Sequence, residues 1–140
     1  MPASPREVFE HQRRAMHAHA WGELSELYAE DAIVDLPFNL PEPLRLQGRE
    51  QLHARFVAAE RLPLELEMLN LVVRETSDPE VIVAEFDYHG RMTDSGREFT
   101  AANVIIMRVR DGRIISSRDY HNHAVMMQVL GNVPELTSAA

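Results

Sequence analysis

Apolar and polar positions alternate with a period of two along residues 64–75, 81–91 and 97–110, which therefore read as three long strands. Thr76-Ser77-Asp78-Pro79 and Asp94-Ser95-Gly96 lie between them and supply turn residues. Asp111-Gly112 separates the apolar run 103–109 from a further one at 114–120, which is the signal of a tight β-hairpin. Upstream the period becomes helical. Ser4-Pro5-Arg6-Glu7 offers a cap, Pro at the first helical position and Glu three residues after Ser. Val8, Phe9, Gln12, Ala15, Met16 and His19 continue as one stripe. Residues 22–30 are predicted as a short second helix, with Leu24, Leu27 and Tyr28 at i, i+3, i+4. Residues 32–38 read as a strand. Residues 39–46 hold Pro41 and Pro43 and read as a loop, a candidate lid. Residues 48–61 form a third helix stopped before Pro63, and a last short helix over 124–130 ends at Gly131. Helices first and an antiparallel meander last make an α+β layout, with helices packed on one face of a curved sheet.

Face assignments within the strands pick out the candidate chemistry. Alternation puts Ile115, Ser117 and Asp119 on one face and Ser116, Arg118 and Tyr120 on the other. An acid that shares a face with Ile is a candidate buried carboxyl, and burial raises its pKa toward the range useful for proton transfer. The same position suits a solvated strand-end Asp paired with Arg118 or Arg113. Asn103 shares a face with Ile105 and Met107, which fits an amide donating to a substrate carbonyl or oxyanion, and equally a buried structural Asn. Arg55, on the third helix, either pairs with Asp119 across a pocket or is a solvated helix residue. Glu85, Asp87 and His89 form a polar face that is solvated, an interface, or a second acid/base set. Asp119, His121 and His123 would align as metal ligands if the strand ran on, but a helix starting near Asn122 splits the trio, and no metal is expected. His17 and His19, two apart on a helix, do not face each other.

Composition narrows the classes. A chain of 140 residues reads as one domain, 1–140, with room for one core and one pocket. It has no cysteine, hence no disulfide framework, thiol nucleophile or cysteine zinc site. All 14 basic residues are Arg, so Schiff-base and pyridoxal chemistry on Lys are excluded. With a net charge of −8 and no basic footprint, nucleic-acid binding is not expected. No apolar run is long enough for a membrane span and no signal-peptide core opens the chain, so a cytoplasmic location is expected. Met16, Met68, Met107, Met126 and Met127, with Phe9, Phe38, Phe56, Phe86 and Trp21, supply adaptable apolar walls. Such walls with few inward polar groups suit a greasy substrate held against one or two proton-transfer residues.

Glu23-Leu24-Ser25-Glu26-Leu27-Tyr28-Ala29-Glu30-Asp31-Ala32, Gln47-Gly48-Arg49-Glu50 and Asp111-Gly112-Arg113-Ile114 resemble the recurring phrases of the nuclear transport factor 2-like superfamily. That superfamily includes the SnoaL-like polyketide cyclases, ketosteroid isomerases and limonene-epoxide hydrolases. The resemblance implies a cone-shaped, strongly bent antiparallel sheet wrapped by three N-terminal helices around an apolar pocket, with the open sheet face forming a homodimer. Gly48-Arg49-Glu50, Thr76, Asp78-Pro79, Glu85, Asp87, Gly90, Asn103, Arg118-Asp119-Tyr120-His121-Asn122, Gln128-Val129-Leu130-Gly131 and Val133-Pro134-Glu135 are similar in order and spacing to the phenazine-biosynthesis A/B family. By that resemblance the family's acid/base Glu falls on Asp119, and its partner His falls on Arg55, which is no base. The ketosteroid isomerase oxyanion Tyr falls near Gln12, its base near Leu36 and its protonated Asp near Asn103, so isomerisation of that kind is disfavoured. Asp119 also matches the acid position of limonene-epoxide hydrolases.

The combined expectation is a cofactor-free cyclase or isomerase of secondary-metabolite (antibiotic) biosynthesis acting on a small apolar, polyketide-like carbonyl compound. Asp119 would shuttle the proton and Asn103 would bind oxygen. Leu36, Phe38, Arg55, Phe56, Met68, Met107 and Ser117 would hold the substrate. Phenazine-type amino-ketone condensation, epoxide hydrolysis, and a non-catalytic ligand-binding or assembly subunit stand as alternatives. Val104 and Ile106, opposite the pocket face, would form the homodimer contact.

Overall fold

The computed structural model describes residues 2–130. The chain begins with α1 (Pro5–His17). Ser4 caps it by accepting from the Glu7 amide at 3.2 Å, while Glu7 Oε1 accepts from the Ser4 amide at 3.0 Å. This capping box contributes about 1 kcal/mol. A 3₁₀ helix (Trp21–Leu27) follows, then β1 (Tyr28–Leu36), β2 (Leu44–Gln47) and α2 (Arg49–Glu60). The meander comprises β3 (Leu64–Glu75), β4 (Val81–Met92), β5 (Glu98–Arg110) and β6 (Arg113–His121). A last helix, α3 (His123–Leu130), closes the described chain; Gly131 and Val133-Pro134-Glu135 lie outside the described residues. Asp111 and Gly112 both take positive φ, 52° and 78°, as a tight hairpin turn requires.

The six strands form one sheet in the order β2-β1-β6-β5-β4-β3, which gives the α+β architecture. Every pairing is antiparallel except β1 with β6, which run parallel, so the sheet is mixed at the join between its N-terminal strands and the meander. Inward positions of β4 (Ile82, Ala84, Phe86, Tyr88) and β5 (Ile105, Met107, Val109) meet Val8, Phe9 and Met16 of α1 and Leu52 of α2 in the main core. Complete burial of Phe9 alone is worth roughly 1.5–3 kcal/mol.

Three departures from the sequence pattern have physical causes. The predicted 22–30 helix stops at Leu27, because Tyr28 is drawn into β1 with its ring buried. Leu24 and Leu27, three apart, suit the three-residue turn of a 3₁₀ helix. The predicted 39–46 loop ends at Pro43, because Leu44–Gln47 pairs with β1 in the register Val34↔Leu46 and buries Leu46. As an edge strand it tolerates the prolines beside it. Finally, Val109 pairs with Ile114 directly after Arg108 pairs with Ser116, so Ile115 is the extra residue of a bulge. Ile114, not Ile115, therefore fills the core, and beyond the bulge Ser117, Asp119 and His121 lie opposite the inward Met107, Ile105 and Asn103.

A smaller apolar cluster, separate from the main core, joins Leu64, Phe99 and Ala101 to Val125, Met126, Val129 and Leu130 of α3. It depends on Gly90, which pairs with Phe99 across β4 and β5. A Cβ at Gly90 would fall 2.3 Å from the Phe99 ring and 3.0 Å from Leu66 Cδ2. Gly90→Ala is expected to destabilise the fold by about 1–3 kcal/mol through overpacking, read as a lower urea midpoint. An unchanged midpoint would mean that Phe99 yields freely.

Candidate active site

Between the helices and the inner face of the sheet lies a cavity of about 150 Å³. Apolar cavities of roughly that size accommodate one aromatic ring. Leu24, Leu36, Leu52, Phe56, Leu66 and Met68 supply much of its wall, and Met126, Met127 and Leu130 reach it from α3. The polar groups facing in are Gln12 of α1, Tyr28 of β1, Asn39, Arg55 of α2, Tyr88 of β4, Asp119 and His121 of β6, and His123 of α3. Asp119 is the one carboxylate among the described lining residues.

Asp119 is 15% exposed in its side chain, and burial pushes its carboxyl up to about 6. The Ser117 hydroxyl, which donates to Oδ1, and the Arg55 guanidinium pull the other way; Asp35 adds a small upward push. Burial in turn draws Arg55 down to about 10, against the Asp119 charge, so Arg55 is a cavity residue rather than a solvated one. The strand-end ion pair does not form. Arg118 points to the opposite face, where it reaches Asp35 at 3.5 Å and donates to Tyr120 Oη at 2.9 Å.

Tyr28 and Tyr88 are buried, and burial together with the nearby Asp119 charge raises both hydroxyls well above the ordinary phenol value. They stay protonated. Gln12 Nε2 donates to Tyr28 Oη at 3.0 Å, leaving the Tyr28 hydrogen for another acceptor. Burial, and then the neighbouring His123 and Arg55, hold His121 down to about 3. Burial and Arg55 hold His123 down to about 4. Both imidazoles are neutral at pH 7.

Of the predicted substrate contacts, Leu36, Arg55, Phe56 and Met68 line the cavity together with Asp119. Met107, Ser117, Asn103 and Phe38 do not. Met107 and Ser117 face inward, but Met107 is spent in the main core and Ser117 lies behind Asp119. Asn103 faces inward too, yet its amide donates to the Ala101 carbonyl at 2.8 Å and borders a second concavity, so it is no oxygen-binding group of this cavity. Phe38 is 63% exposed and packs edge-on against Tyr120 at 5.3 Å. Glu85, Asp87 and His89 lie on the outer face with partners of their own: Arg74 at 3.5 Å, Asn70 at 2.9 Å, and Glu67 and Glu98 at 3.3 and 3.2 Å. They form no second acid/base set at the cavity. β6 ends at His121 and α3 begins at His123, and among the described residues no group of three His, Asp or Glu is placed to hold a metal.

Sequence reasoning missed Tyr28 and Tyr88 and gave His121 only a metal role. Alternation along β4 places Tyr88 with Ile82, Ala84 and Phe86, so the signal for it existed. Tyr28 was hidden by its fit to a helical stripe.

The chain is 27% identical over 134 residues to an uncharacterised PhzA/B-like protein of Pseudomonas aeruginosa, covering 91% of each. Its fold is similar to that of a proposed isomerase from Bacillus subtilis, with a TM-score of 0.81 at 22% identity over 91% of this chain and 92% of that one. It is also similar to a proposed polyketide cyclase from Pseudomonas putida, with a TM-score of 0.74 at 19% identity over 90% and 97%. The sequence profile of the SnoaL-like domain matches residues 9–117, from α1 through Ser117 two residues short of the buried acid. With that match spanning most of the helices and the sheet around the cavity, the chain belongs to the SnoaL-like domain family.

Proposed function

We propose that this chain is a cofactor-independent cyclase or isomerase of secondary-metabolite biosynthesis that moves a proton on a small, neutral carbonyl compound. The observation that carries the reading is Asp119: the one carboxyl among the described residues of a greasy cavity, buried, with a pKa of about 6. A base whose pKa lies near the working pH both takes and returns a proton efficiently. Asp119 removes a proton next to the carbonyl and redelivers it at the new position. The Tyr28 hydroxyl and the Arg55 guanidinium, both on the cavity wall, stabilise the oxygen as it gains charge. This assigns to Tyr28 and Arg55 the role expected of Asn103. The apolar wall holds the reacting atoms together, which contributes on the order of 7–11 kcal/mol at best. The cavity volume favours a substrate of about one ring.

Deuterium uptake from D2O into the α-positions of small cyclic ketones, followed by NMR, tests the reading. Protein-dependent uptake is expected with at least one neutral ketone. No uptake with any of them, together with tight binding of the same compounds, would instead mark a ligand-binding subunit.

A homodimer through the outer sheet face completes the proposal. Among the described residues, Leu69, Val72 and Ile106 are exposed there beside the half-buried Val104. Sedimentation at micromolar concentration is expected to give a dimer, and Ile106→Arg a monomer. A monomeric wild type would refute it.

A further inference from the structure

Asn103, His121 and Asp119 form a row from the interior of the sheet to the cavity. Asn103 stands directly across the β5–β6 pair from His121. Its Nδ2 donates to the Ala101 carbonyl at 2.8 Å, which turns Oδ1 toward His121 Nδ1 at 2.7 Å. A carbonyl oxygen can only accept, so Nδ1 must carry the ring hydrogen. The opposite tautomer would press a lone pair against Oδ1 at that distance. Burial keeps the second proton off the ring, so Nε2 is bare. Nε2 lies 3.9 Å from Asp119 Oδ2 on the cavity wall. Stacking on Tyr88 at 5.8 Å and an edge contact with His123 at 5.6 Å fix the ring plane. Asp119, Tyr88, His123 and Arg55 are the titratable groups facing it.

We propose that Asn103 is a positioning residue that makes His121 a hydrogen-bond acceptor beside Asp119, so that the site recognises a neutral substrate through a hydroxyl group: an alcohol, a phenol or an enol. Two acceptors side by side, Nε2 and the Asp119 carboxylate, satisfy a hydroxyl hydrogen and leave an ether or a halide unpaired at the same place. A site built around a substrate hydroxyl discriminates against the analogue lacking it, because its own polar groups then go unmatched. The assignment rests on the reading of this cavity as the substrate site, and it is tested without turnover.

The test uses protein labelled with ¹⁵N at histidine, with long-range ¹H–¹⁵N spectra at pH 7.5 and the His121 signals identified by their loss in His121→Gln. His121 is expected to show a protonated Nδ1 and a bare Nε2. Phenol, as a one-ring probe, should shift Nε2 and bind roughly 3- to 10-fold tighter than fluorobenzene, the range of one neutral hydrogen bond. In Asn103→Asp a carboxylate opposite Nδ1 draws a second proton onto the ring, Nε2 becomes a donor, and the preference for phenol disappears. A wild-type spectrum with the hydrogen on Nε2 overturns the proposal, whatever the variant does. So does an Nε2 signal unmoved at saturating phenol. If Asp119→Asn exchanges protons normally while His121 keeps its Nδ1–H form and its phenol response, the catalytic reading fails and this assignment stands.

Discussion

Asp119→Asn is expected to keep the fold and ligand binding while lowering proton exchange by roughly 10²–10⁴-fold, the usual contribution of a general acid or base. Asn preserves the shape of the side chain and an acceptor for the Ser117 hydroxyl. It removes the titrating proton together with the carboxylate charge, and puts an amide NH2 where one oxygen stood. The same substitution should make the protein more stable above pH 6. The Asp119 carboxyl has a folded pKa raised to about 6, against about 3.9 unfolded, so the native state holds this proton more tightly. Its contribution is intact below about pH 4 and is lost as pH rises through 6, about 3 kcal/mol in all. A non-titrating Asn escapes that loss. Urea denaturation at pH 7.5 should therefore show a more stable variant, and at pH 4 little difference. Loss of exchange together with gain of stability cannot come from misfolding. Unchanged turnover in a well-folded Asp119→Asn would leave restraint by the apolar wall as the whole of catalysis.

The second large effect is acid lability between pH 7 and pH 5. His121 and His123 have folded pKa values lowered to about 3 and about 4, so below about pH 6.5 the unfolded chain takes up protons that the native chain refuses. Each imidazole then costs about 1.4 kcal/mol per pH unit, or about 4 kcal/mol for the two down to pH 5. Asp119, protonating in the native state below pH 6, returns roughly 1.4 kcal/mol over the same interval. The net expected loss is roughly 2–3 kcal/mol, visible as a falling urea midpoint, with His121→Gln showing a shallower fall. Glu80, held down to about 2 by Arg110 and Arg108, titrates at lower pH and does not blur this window. A midpoint flat from pH 7 to pH 5 would show that the imidazoles are not buried neutral.

Much of this architecture was legible in the chain because local chemistry and period agreed. The Ser4–Glu7 cap, the three long strands and the Asp111-Gly112 hairpin fall where the pattern puts them. The phase with Ile115 points Asp119 inward but not for the full physical reason: the bulge makes Ile115 the extra residue, and pairing with Ile105 is what aims Asp119 inward. Alternation reports a side of the sheet and not a depth along it. That is why Met107 and Ser117 face inward without reaching the cavity, and why Asn103 serves His121 instead of a ligand. The burial of Tyr28 and the pairing of Leu44–Gln47 are tertiary events with no local signature.

Through α3, one wall of the cavity rests on the Leu64–Phe99–Ala101 cluster. Met126, Met127 and Leu130 cover the ligand space, but the apolar grip of their helix is on that satellite cluster and not on the main core. Separation of this helix from the sheet is therefore expected to break only a minor fraction of the buried contacts and to cost less free energy than unfolding, which hydrogen exchange of its amides would read. Substitutions at Gly90 and Phe99 are thus felt in the seat of α3 beside the cavity as well as in the stability of the fold, whereas Phe9 and Ile114 lie in the main core, away from that seat.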